Sequence, residues 1–116
     1  MIMKIMWFSR HEPIPKQIAE LKRLFGKDVN VIQDPNPFSG ADDVVRRFRE
    51  SGADEMVIVA PLTVIDQITK RGIQPLYAEM RLVEEGPYDV DVNGRKFVFE
   101  RFTRIKRVIV EKEELE

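Results

Sequence analysis

The chain has 116 residues, 43% of them hydrophobic and 34% charged, and its nineteen basic and twenty acidic side chains leave a net charge of −1. Near-neutral charge excludes bulk electrostatic coating of duplex nucleic acid or a membrane surface, and the absence of cysteine excludes disulfides, thiolate metal sites and thiol nucleophiles. No apolar run approaches the roughly 20 residues of a membrane span, and the apolar start from Met1 to Phe8 is too short for a signal-peptide core. The expectation is one cytoplasmic domain over residues 1–116 with no cofactor and no metal; its charge content and short loops suit a thermophile.

Ile2, Ile5, Met6, Trp7 and Phe8 form a nearly continuous apolar run, as a strand buried on both faces requires. Ile14, Ile18, Leu21 and Phe25 recur at helical spacing after Pro13 and Pro15, and Gly26 stops the helix. Val29 to Gln33 predicts a second strand, and Asp34-Pro35-Asn36-Pro37 a loop. Ser39 is the expected N-cap of a second helix carrying Ala41, Val44, Val45 and Phe48 and ending near Gly52. Met56 to Ala60 predicts a third strand, Pro61 to Arg71 a third helix capped by Gly72, and Leu76 to Met80 a fourth strand. Strand and helix alternating in this way imply right-handed crossovers and parallel pairing.

Beyond Gly86 the period changes to two. Val90 and Val92 alternate with acidic residues, Asn93-Gly94 is a favoured type I′ turn pair, and Phe97 and Phe99 alternate on the return. Residues 83–110 therefore predict a hairpin extension, with Ile105 to Val110 lengthening or adding a strand, and 111–116 a charged tail. The fold class expected is α/β: a Rossmann-like three-layer domain with a mainly parallel sheet, three helices and a C-terminal hairpin.

In open parallel sheets ligands bind beyond the carboxyl ends of the strands, where strand order reverses. The first strand delivers Ser9, Arg10 and His11 to that edge, the third Pro61, Leu62 and Thr63, and the fourth Arg81. A hydroxyl, two guanidinium groups, an imidazole and a helix N-terminus together suit phosphate. Each also has an ordinary structural role open to it: Ser9 as a turn or helix cap, the arginines as surface charges, and His11 as a hydrogen-bonded loop residue. Asp42-Asp43 and Asp89/Asp91 are accounted for by a helix start and a solvated hairpin. The basic residues around Phe97, Phe99 and Phe102 fit a charged outer face over an apolar inner one better than an RNA surface. Glycine-rich phosphate loops, nucleophile elbows and metal spacings are absent.

Arg10-His11-Glu12 resembles the Arg-His-Gly motif of histidine phosphatases but lacks its glycine and its second histidine. A longer resemblance runs through Trp7-Phe8-Ser9-Arg10-His11-Glu12-Pro13-Ile14-Pro15-Lys16-Gln17-Ile18, Arg71-Gly72-Ile73-Gln74-Pro75-Leu76-Tyr77-Ala78 with Arg81, and Val98-Phe99-Glu100-Arg101-Phe102. Together these blocks resemble the small single-domain CRISPR-associated Rossmann-like (CARF) proteins, some of them ring nucleases, and related proteins of phages and mobile elements. The resemblance implies a homodimer that binds a cyclic oligoadenylate or related nucleotide messenger, with slow metal-free cleavage as the associated activity. It places Ser9, Arg10, His11, Thr63 and Arg81 around the ligand, with His11 and Ser9 in the catalytic positions. Related members often carry histidine where this chain has Glu100-Arg101, so the resemblance extends further for binding than for cleavage. The alternative is a non-enzymatic nucleotide- or protein-binding module of a mobile element or of an uncharacterised archaeal or bacterial family.

Overall fold

The computed structural model describes residues 2–116. Its elements in chain order are β1 (Lys4–Phe8), α1 (Pro15–Phe25), β2 (Asn30–Asp34), α2 (Ala41–Ser51), β3 (Glu55–Ile58), α3 (Leu62–Lys70), β4 (Leu76–Val83), β5 (Val90–Val92) and β6 (Arg95–Arg104). The result is an α/β fold with three helices and one mixed six-stranded sheet in the order β2-β1-β3-β4-β6-β5. β1 to β4 pair in parallel, whereas β6 runs antiparallel to β4 and β5 antiparallel to β6.

Side-chain alternation along β1 supplies two cores. Met6 and Phe8 point to one face and pack with Val44 and Val45 of α2 and Ile68 of α3. Ile5 and Trp7 point to the other and pack with Leu21 of α1, Val57 and Leu76. α1 thus covers one face of the sheet while α2 and α3 cover the other. The chain moves outward from β1 to β2, then reverses across β1 to β3 and β4. With right-handed crossovers this reversal puts α1 on the face opposite to α2 and α3 and leaves the switch point between β1 and β3.

The C-terminal third departs from expectation. β4 continues to Val83 instead of ending at Met80, so Arg81 lies within a strand and not after it. β6 is ten residues long and inserts between β4 and β5, which makes the hairpin part of the main sheet. A register shift opposite Glu79/Met80 leaves Glu100 as the extra residue of a bulge. The shift lets Phe99 and Phe102 share one face despite their odd spacing, and their rings lie 5.0 Å apart. The turn is as expected, with Asn93 at φ 53° and Gly94 at φ 83°, both in the left-handed region a type I′ turn demands. Ile105 to Val110 forms no strand: the Ile105 N–H donates to the Pro75 carbonyl, and beyond it no regular structure forms.

Ser39 is not the N-cap of α2. Gly40 takes that position, and the Asp43 carboxylate reaches back to accept the Ser39 N–H at 3.2 Å. That hydrogen bond, reinforced by the Arg47 guanidinium, holds the Asp43 carboxyl below the usual carboxylate range. No described helix is long and apolar enough to cross a membrane.

Candidate functional site at the ends of β1 and β3

The chain leaves β1 through Ser9, Arg10 and His11, and hydrogen bonds fix this segment by its backbone. Trp7 Nε1–H donates to the His11 carbonyl at 2.9 Å, and Gln33 Nε2–H of β2 donates to the Ser9 carbonyl at 3.0 Å. Ser9 Oγ accepts the His11 N–H at 3.2 Å, closing a local turn. The side chains outside the turn remain unpaired: neither the Arg10 guanidinium nor the His11 ring bonds to any described residue. A rigid backbone carrying free polar side chains is suited to meeting a ligand.

Two cavities adjoin this segment, one on each side of the switch point, and both are bordered by Ser9, His11 and Val59. The cavity on the α1 side, about 290 Å³, lies between α1, the sheet and the returning hairpin. Trp7, Val57, Met80, Val90 and Phe97 make its apolar walls, and Gln17 and Glu12 join Ser9 and His11 as its polar members. The cavity on the α2 side, about 380 Å³, is bounded by Arg10 and the Asp34–Phe38 loop. Val59 forms part of both rims because the ladder continues one step past β3, its N–H donating to the Phe8 carbonyl.

The hairpin wall is tied down at Asp89. Its carboxylate accepts the Phe99 N–H at 2.8 Å and the Lys16 ammonium at 3.1 Å, which joins the sheet to the first turn of α1. The backbone hydrogen bond, followed by Lys16, holds the Asp89 carboxyl below the usual carboxylate range.

The five residues expected around a ligand are not all brought together. Ser9, Arg10 and His11 meet at the switch point. Thr63, in the first turn of α3, is exposed and borders neither cavity. Arg81 projects from the sheet face opposite to that of Ala78 and Met80, which line the α1-side cavity, and it pairs with Glu100 at 3.2 Å. The helix N-terminus is also a weaker anion site than expected. Pro15 has no N–H, and the N–H groups of Gln17 and Ile18 both donate to the Ile14 carbonyl. Among the described residues no group of three or more His, Asp or Glu side chains is placed to hold a metal ion.

Gln17 is the residue that sequence reading missed. Among the described residues it is the one buried polar side chain, 6% exposed, and it sits one turn before the buried Leu21. A glutamine four residues ahead of a core leucine, on the stripe that faces the sheet, was the available signal. Comparison with known proteins finds no match among family models, curated proteins or solved structures.

Proposed function

We propose that the chain is a binding module for a nucleotide messenger, with a cyclic oligoadenylate as the first candidate ligand, acting in the cytoplasm as a homodimer. The observation that supports this reading best is the apolar cavity at the switch point, joined through the Ser9–His11 rim to a second cavity bearing the unpaired Arg10. A base suits the first, because aromatic and aliphatic walls favour a flat apolar ring. A phosphate suits the Arg10 side, where Arg10 offers a forked donor and the lining Asp34 carboxylate is already engaged by Asn36 and Arg47, whereas Glu12 at the apolar cavity has no such partner among the described residues. A Rossmann-like origin of the sheet agrees with the reversal between β1 and β3.

Binding is the primary activity in this proposal and cleavage a secondary one. In cleavage the ribose 2′-hydroxyl would lose its proton to solvent water as its oxygen attacks the adjacent phosphorus, forming a 2′,3′-cyclic phosphate and breaking the bond to the 5′-oxygen, which His11 would protonate while the Ser9 hydroxyl donates to the phosphate. No described residue orients the His11 ring, which favours the alternative of a purely binding module. Thr63 and Arg81 have no part in this scheme.

Calorimetric titration with cyclic tetra- and hexa-adenylate, followed by chromatography of the products, tests both levels. Binding that Arg10→Ala weakens at least about tenfold, the scale of a charge-assisted contact, is the expected result. No binding of either ring refutes the reading. Products that persist in His11→Ala would remove histidine from the chemistry while leaving binding intact.

A further inference from the structure

The Gln17 amide cannot be oriented freely. Its Oε1 accepts the Ile14 backbone N–H at 3.0 Å, and because a backbone N–H only donates, the oxygen must take that side. Nε2 therefore points the other way, toward the cavity, where its one partner is Met80 Sδ at 3.8 Å. A thioether is a weak acceptor, and the second Nε2 hydrogen has no partner among the described residues. The side chain is nine-tenths buried and lines the α1-side cavity. A primary amide held in this way is an under-used donor, and it is the buried polar group of a cavity whose other polar members, Ser9, His11, Glu12 and Tyr77, lie nearer solvent. Such a donor is costly to leave unsatisfied.

We infer that Gln17 is the specificity-determining residue of this cavity and selects a planar heterocycle that presents a neutral acceptor, a ring nitrogen or a carbonyl oxygen, at its inner edge. Two features narrow the class. No described lysine or arginine lines the cavity and Glu12 does, so a carboxylate or phosphate buried there would meet like charge. The volume of about 290 Å³ lies at the lower end of the roughly 300–1,000 Å³ of small-molecule sites, so one ring system enters and the rest of the ligand stays outside. The inference deepens the nucleotide reading by placing one base per chain against Gln17, with sugar and phosphate at the Ser9–His11 rim. It would hold equally for a non-nucleotide heterocycle.

The test uses quinoline and naphthalene, which share a shape and differ by one ring nitrogen. Their affinities are measured for the wild-type protein and Gln17→Met by the emission of Trp7, the sole tryptophan, which lines the cavity. The quinoline-to-naphthalene affinity ratio should fall at least about tenfold in Gln17→Met, the loss expected when a buried hydrogen bond is removed. Taking the ratio cancels the difference in hydrophobicity between the probes. In the wild-type protein alone, both probes exert a ring current but only quinoline accepts a hydrogen bond, so quinoline should move the Gln17 side-chain amide protons further downfield than naphthalene does, a readout independent of whether the variant folds. An unchanged ratio, equal amide shifts, or failure of both probes to bind would overturn the inference. Quinoline selectivity without cyclic oligoadenylate binding would uphold Gln17 and reject the nucleotide reading.

Discussion

Asp89 provides a direct test of what holds the hairpin against α1. Its carboxylate receives a backbone N–H from Phe99, which is 3% exposed, and an ammonium from Lys16, whose side chain is 54% exposed. A hydrogen bond to a charged acceptor is worth about 1.5–3 kcal/mol, and losing it leaves the Phe99 N–H unsatisfied in a sparsely hydrated place. The exposed ion pair is worth less than about 1 kcal/mol. Asp89→Ala should therefore lower stability by about 2–3 kcal/mol in urea denaturation at pH 7, and Lys16→Ala by under about 1 kcal/mol. Asp89→Asn, which keeps an acceptor but not the charge, should fall between them. Raising salt to about 1 M, where the Debye length is near 3 Å, should leave most of the Asp89→Ala deficit in place. The pH dependence follows from the lowered folded pKa. Stabilisation is full above the unfolded aspartate value of about 3.9 and is lost as pH falls through the folded value, so wild type and Asp89→Asn should converge in acid. A Lys16→Ala loss equal to that of Asp89→Ala would refute the reasoning.

Phe8, 1% exposed and central to the core under α2 and α3, should cost about 3–5 kcal/mol as Phe8→Ala; a loss under about 1.5 kcal/mol in urea denaturation would mean the site collapses around the gap. Gly94→Ala should cost about 1–2 kcal/mol, because a Cβ at φ 83° is strained although the space around it is open, with hydrogen exchange rising first in β5 and β6. Deleting residues 106–116 should change stability by no more than about 0.5 kcal/mol, since Ile105 makes the last backbone hydrogen bond; a larger loss would reveal packing by Val108.

Local chemistry made the parallel strands and the hairpin turn legible. The run from Ile5 to Phe8 supplies both cores because it is apolar on both sides, and Asn93-Gly94 sets its turn through two left-handed residues that few other pairs tolerate. The errors came where a long-range pairing decides. Local pattern puts Arg81 after a strand, yet pairing with Val98 keeps it in β4, because an antiparallel partner extends a strand past a charged residue whose side chain can face solvent. Ile105 to Val110 is β-branched enough for a strand and has no neighbour to pair with, so its propensity is not realised.

The same long-range pairing changes the chemistry expected of the site. Strand ends alone bring Ser9, Arg10 and His11 to the switch point and suggest an anion cradle, since the polar residues are the ones adjacent in sequence. The apolar walls come from Val90, Val92 and Phe97, about eighty residues away, and they reach the site because β6 pairs with β4 and Asp89 ties the hairpin to α1. Once those walls are present, the Ser9–His11 segment is the rim of an apolar chamber and Gln17 its inner polar contact. Affinity should then depend more on the ring that enters than on the charge left at the mouth, because buried apolar area contributes about 25 cal/mol per Å², so that roughly 100 Å² of ring gives about 2.5 kcal/mol against about 1.4 kcal/mol for a tenfold contact to exposed Arg10, which salt also screens. Removing the phosphate from a bound nucleotide should thus weaken binding less than replacing its base.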